Sequence, residues 1–162
     1  MKKLITVSAF VACVACAKAD NPFFQASLTP DIAVQPKTTE IDGICLSIWG
    51  ENPQHALAIG FVNGSTGDSK GLSWGFFVNY SETYTGVDLG MVNWSTVNFT
   101  GVQFGAVNVA NEYHGLQMGV VNYAENLRGV QLGFINIAMN NPWFNEFPDK
   151  LATGFPFVNW SF

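Results

Sequence analysis

The chain has 162 residues, with seven Lys and Arg against twelve Asp and Glu, a formal net charge of −5, and 48% hydrophobic but only 12% charged residues. That acidic, lysine-poor balance argues against nucleic acid and anionic lipid headgroups as partners, since both call for a basic surface. Beyond the N-terminus no apolar stretch reaches the length of a transmembrane helix, which excludes a helical membrane protein.

Residues 1–19 read as an export signal. Lys2 and Lys3 supply the positive region, Leu4 to Ala15 an apolar run too short to span a bilayer, and Ala17-Lys18-Ala19 an A-x-A cleavage site. Cys13 and Cys16 each follow an alanine and raise lipidation as a second reading, although Phe10 and Cys13 sit poorly at the lipobox position three residues earlier. Cleavage before Asp20 would remove Lys2, Lys3 and Lys18, leaving four basic residues against twelve acidic ones, a net charge of −8. Cys45 would then be the single cysteine; one thiol closes no internal disulfide, and a small apolar filler in a strand is its simplest role.

Residues 20–42 form the expected N-terminal cap. Phe23, Phe24, Ile32 and Val34 can cover an exposed core, and Pro30 and Pro36 discourage edge pairing.

Residues 43–138 are a repeat array. The unit is clearest as GVDLGMVNWS (86–95), GVQFGAVNVA (101–110), GLQMGVVNYA (115–124) and GVQLGFINIA (129–138), with a weaker copy from Ala56 and one with an extra Phe from Gly71. The leading glycines Gly71, Gly86, Gly101, Gly115 and Gly129 recur at intervals of 15, 15, 14 and 14 residues. Frequent glycine and the lack of a 3.6-residue period argue against helix, while Val, Phe, Tyr and Trp favour strand, so the fold is expected to be all-β.

Two architectures accommodate the unit. In a β-solenoid each repeat is one coil, with Val102, Phe104, Val107, Val109 and Tyr113 expected to point inward and Gln103 and Asn108 outward. In an eight-stranded antiparallel outer-membrane β-barrel each repeat is instead one strand, with Gly43–Trp49 and Thr153–Phe162 completing the count and the terminal Phe162 serving as an assembly signal. The barrel would place an Asn of every repeat against lipid, put Tyr84, Phe99, Tyr113 and Leu127 in tight turns, and make successive connections equal in length. Those three features favour the solenoid.

In the solenoid, Asn63, Asn79, Asn93, Asn108, Asn122, Asn136 and Asn159 become a ladder whose amides hydrogen-bond from coil to coil. Asp88, Gln103, Gln117 and Gln131 form a second polar row, with Ser73 breaking it toward the N-terminus. The two rows are read as solvated structural ladders or as a flat binding face for a glycan or protein. Residues 139–162 combine a C-terminal cap with a last repeat, because Val158-Asn159-Trp160-Ser161 copies Val92–Ser95. Within this segment Trp143, Phe144 and Phe147 either pack on the last coil or form a loop that meets a membrane or partner.

No catalytic or cofactor motif assembles. His55 and His114 stand apart from metal-ligand spacing, the glycines fall at corner spacing rather than in a nucleotide fingerprint, and the carboxylates are scattered. No catalytic, metal or cofactor-binding residue is therefore assigned. A β-helical carbohydrate-active enzyme is the remote alternative, which would need carboxylates converging on one face.

The unit G-[VL]-[DQ]-[LFM]-G-x-[VI]-N-x-[AS], the lead-in from Ile41 to Asn52 and the ending from Phe155 to Phe162 resemble the bacterial leptospiral-type surface-repeat proteins. The resemblance covers residues 41–162 and implies an exported protein in the cell envelope of a diderm bacterium, at the outer membrane or cell surface, with no enzymatic activity. Ala56 in place of the leading glycine and Ser73 in place of Asp or Gln depart from the pattern. The combined expectation is a non-enzymatic scaffold or adhesion module that meets a surface protein, glycan or envelope component, with membrane association open and nucleic acid excluded.

Overall fold

The computed structural model describes residues 21–162, and the export signal, its cleavage site and the two leader cysteines lie outside them. All regular structure among the described residues is strand: β1 (Phe24–Thr29), β2 (Ile32–Ala33), β3 (Ile44–Asn52), β4 (His55–Phe104), β5 (Val107–Met118), β6 (Val121–Ala138) and β7 (Gly154–Ser161). β4 is long because its extended, ladder-paired backbone runs on through the corners of successive coils.

β1, β3, β4, β5 and β6 pair in parallel from one coil to the next. Gly101 lies beside Gly115, which lies beside Gly129, and Asn93, Asn108 and Asn122 share one register. Parallel neighbours offset by one repeat require the chain to wind, so each repeat is one coil of a β-solenoid. Consecutive strands of a barrel would run antiparallel, and the eight-stranded alternative is thereby overturned.

The leading glycine is what lets the coils close on one another. Gly115 has φ 138°, and a Cβ there would stand only 2.0 Å from the Gly101 carbonyl oxygen one coil below, far inside contact distance. Glycine alone tolerates both the dihedral and the approach. The second glycine also permits the close stacking and has a further role: at Gly105 a Cβ would stand 2.1 Å from the Gly90 carbonyl oxygen and 2.8 Å from Asn93 Nδ2, in space that the ladder amide needs.

The direction of the side chains is the reverse of the expectation on two of the three sides of the coil. Asn93, Asn108, Asn122, Gln103, Gln117 and Gln131 are all 0% exposed, while Phe104 is 54% and Trp74 57% exposed. The apolar residues flanking each Asn and Gln therefore face outward. Only on the third side does the expectation hold, where Tyr84, Phe99, Tyr113 and Leu127 are buried. The rings form a column, with centroids 5.7 Å apart for Tyr84–Phe99 and 5.6 Å for Phe99–Tyr113. Small residues line the remaining interior, among them Ala110, Ala124 and Ala138.

The N-terminal boundary and the direction of the last copy differ from the expectation. The stack already begins at β1, within the segment read as a cap, since Phe24–Ser27 pairs in parallel with Ile44–Ser47. The N-terminal edge is instead blunted by β2, which turns back antiparallel on β1. At the other end β7 runs antiparallel to β6, pairing Asn159 with Gln131 and Trp160 with Val130. Phe157–Ser161 copies the repeat in sequence but is a reversed capping strand, because the chain enters it after a loop rather than by winding on.

Replacing Gly115 with Ala is predicted to cost roughly 3 kcal/mol or more, since it adds both dihedral strain and overlap with a backbone oxygen. Urea unfolding followed by circular dichroism measures it; a loss below that of an ordinary surface substitution would refute this role of the glycine.

Candidate binding surface

The Asn row is a hydrogen-bonded chain inside the coil. Asn79 Nδ2 donates to Asn93 Oδ1 at 2.8 Å, and the links Asn93 to Asn108, Asn108 to Asn122 and Asn122 to Asn136 are also 2.8 Å. Asn63 joins at 3.2 Å and itself accepts from Ser47 Oγ at 2.8 Å. The second hydrogen of each central amide goes to a backbone oxygen: Asn93 to Phe104, Asn108 to Met118 and Asn122 to Leu132. Both donors and the acceptor oxygen of these central amides are occupied, which is the condition under which buried polar groups do not destabilise. Asn159 stands outside the ladder; its side chain donates to Ala152 O at 2.8 Å within the cap.

The Gln row is shorter and points the other way along the stack. Gln131 Nε2 donates to Gln117 Oε1 at 2.8 Å, and Gln117 Nε2 to Gln103 Oε1 at 3.0 Å. Toward the N-terminus it stops: Gln103 Nε2 and Asp88 Oδ1 have no partner, and Ser73 is too short to continue and bonds Asn79 Oδ1 instead. Both rows are buried, so neither is a solvated row or a binding face. Burial also pushes the Asp88 carboxyl up to about 8 and the Cys45 thiol up to about 12, leaving Cys45 a protonated filler in the same inward row.

Turning the polar residues inward leaves the apolar ones as the outer surface. One side of the coil presents Leu57, Leu72, Val102 and Leu116 with Ile59, Trp74, Phe104 and Leu132, and the next presents Val62, Val92, Val107 and Val121. The corner between them is the most exposed part of this surface, with Phe76 60%, Met91 54% and Phe134 68% exposed. Spanning about seven coils roughly 4.8 Å apart and about 26 Å around the coil, the two sides offer on the order of 700 Å². The largest apolar patch of an ordinary monomer covers about 300–600 Å².

Charge is kept off this surface. Within residues 71–138 the exposed charged residues are Glu82, Glu112, Glu125 and Arg128, all on the third side of the coil or its corners. There Asn140 Nδ2 donates to Asn126 Oδ1 and Asn126 Nδ2 to Glu112 Oε1, a solvated polar ladder over the buried ring column. Tyr80, Trp94 and Tyr123 lie in the row where the second apolar side meets the polar corner. Glu51 sits at the same border and accepts from Tyr80 Oη at 2.7 Å, while Trp49 Nε1 donates to that hydroxyl at 3.1 Å.

The C-terminal aromatic loop is exposed but braced. Trp143, Phe144 and Phe147 are at least half exposed. Phe144 meets Phe155 edge-on at 6.0 Å, and Phe147 lies 6.3 Å from Trp160, so the loop rests on the capping strand β7.

His55 is not isolated. Its Nδ1 lies 3.1 Å from Glu40 Oε1 and 3.2 Å from Asp42 Oδ1, because the Ile41–Gln54 bridge sets these residues side by side on adjacent coils. A separation of 13–15 residues, one coil, is the signal that ordinary metal-ligand spacing misses.

The geometry thus defines a class: a narrow β-solenoid with an amide-filled interior and two apolar outer sides. Comparison with protein-family models, with curated proteins and with solved structures found no match.

Two expected outcomes concern the interior. Asn108→Leu strands Asn93 Nδ2 and Asn122 Oδ1 in the closed interior, and is predicted to cost about 2–4 kcal/mol in urea unfolding; a neutral effect would refute the ladder. Asp88 holds its proton to about pH 8 when folded, whereas an unfolded Asp loses it near pH 4. The folded state therefore binds the extra proton between those values, so stability is greatest at the acid end, falls as pH rises from about 4 to about 8, and then levels. Asp88→Asn should flatten that profile and raise the melting temperature at pH 8.

Proposed function

We propose that this chain is an exported, non-catalytic surface-binding module of the cell envelope of a diderm bacterium, a rigid rod that associates through its outer sheets. One observation carries the reading: two adjoining sides of the solenoid are apolar and uncharged, and charge is confined to the third. A monomer held in water would gain by replacing these residues with polar ones, so the pattern fits a surface that spends its working life covered. The signal-like residues 1–19 and the resemblance to leptospiral-type surface-repeat proteins support the location. An enzymatic role finds less support, since Asp88, the one buried carboxylate among the described residues, stands in the interior row away from any cleft.

Fractionation of cells producing the full chain tests this. The protein is expected in the envelope pellet, shortened by its leader, and the paired substitutions Phe76→Lys and Phe134→Lys are expected to shift it to the soluble periplasmic or extracellular fraction. Recovery of uncleaved protein in the cytosol would overturn the export reading, and an unchanged pellet for the double variant would overturn the role of the apolar sides.

A further inference from the structure

We infer that the surface covering the two apolar sides is the interfacial region of an electrically neutral, zwitterionic lipid bilayer, into which the solenoid inserts corner-first with its axis in the membrane plane. The inference rests on the proposed binding role of those sides and names their partner.

The shape of the surface favours lipid over another protein copy. The apolar region wraps a corner, with Phe76, Met91 and Phe134 exposed along the ridge and Trp74 and Phe104 equally exposed on one flank, so ridge and flank are open to solvent together. A second copy stacked on one side, about 10 Å wide and about 30 Å long, would bury on the order of 300 Å² per partner. A standard interface buries about 800 Å² per partner, and the ridge and the other side would remain in water. A fluid acyl layer covers a convex wedge on both sides at once, as it does the apolar face of an interfacial amphipathic helix seated about 5–10 Å deep.

Residue chemistry at the border points the same way. Tyr80, Trp94 and Tyr123 line the boundary between the apolar side and the polar corner, the level at which amphipathic rings favour the headgroup region. The Trp49–Tyr80–Glu51 hydrogen-bond chain keeps the polar atoms of this border satisfied. Above it the third side carries Glu112, Asn126 and Arg128 into water. Charge sets the kind of lipid: across residues 21–162 four Lys and Arg face eleven Asp and Glu, so an anionic headgroup would be repelled and a zwitterionic one tolerated.

Co-flotation of the full chain with phosphatidylcholine vesicles tests this, with sedimentation of the lipid-free protein in parallel. Flotation is expected, weakened at low salt when part of the phosphatidylcholine is replaced by phosphatidylglycerol. Lipids brominated on the acyl chain should quench the tryptophan fluorescence. Phe76→Lys with Phe134→Lys should lower partitioning by about tenfold or more with an unchanged circular dichroism spectrum. Thr85→Lys with His114→Lys, which adds charge to the third side, should leave it unchanged. If the protein fails to float and sediments as an oligomer that the Phe pair of substitutions disperses, lipid is overturned and a second copy takes its place, while the binding role stands. A lipid-free monomer that neither floats nor self-associates overturns both. Equal or stronger flotation with phosphatidylglycerol overturns the assignment of a neutral bilayer.

Discussion

A coil of only 14 or 15 residues encloses little space, and the rest of this protein follows from how that space is filled. A column of identical amides repeats at the strand-to-strand spacing, so each Asn can donate to the next and still bond the backbone with its second hydrogen. Such a column is narrow, directional and fully satisfied. Large branched side chains have no comparable way to fit in more than one column, and the single wide column is given to stacked flat rings ending in Leu127. Both sets of glycines let the coils approach, and the second set also clears the path of the amides. The interior is held by hydrogen bonds and ring stacking more than by aliphatic packing, which makes it sensitive to register: one misplaced rung strands two amide groups.

The outer surface is the complement of that interior. In a strand that buries its Asn, the alternate positions must face out, and here they are Val, Leu, Phe, Met and Trp. An ordinary soluble solenoid would carry polar residues at those positions. This chain does so only on its third side, where the buried position is aromatic and its neighbours are Thr, Asn, Glu, His and Arg. The same alternation rule thus yields apolar sides over polar columns and a polar side over the apolar column. That division bears on function, because it gives the rod a wet side and a side that must be covered.

Much of this was legible in the sequence. The period, the all-β class, the glycine corners and the in-register Asn series all follow from the spacing of the repeats. The phase was not legible in the same way, since alternation alone does not say which face is inside and the usual prior buries the apolar one. A usable signal lay in the columns themselves. Asn recurs at its position in six successive coils, from Asn63 to Asn136, whereas the corner position changes from Phe76 to Met91, Ala106, Val120 and Phe134. A confined interior column needs uniform residues to stack, and an outer one accepts any volume. The same rule restricts Asp88: a lone carboxylate in a row of amides lacks the donor and acceptor pairing that continues the chain, and the row frays there.

The sequence by itself determined an all-β chain built from one short repeated unit, because glycine spacing and β-favouring residues exclude helix, and it favoured stacking over a barrel without deciding between them. Only the tertiary structure decided which side of each strand became the interior, because that depends on the width of the closed coil, a property no single repeat possesses. It likewise decided that Asn159, alike in sequence to the ladder residues, belongs to a reversed cap, since strand direction is set by the loop that delivers it. It brought His55 beside Glu40 and Asp42 for the same reason: winding makes neighbours of residues one coil apart.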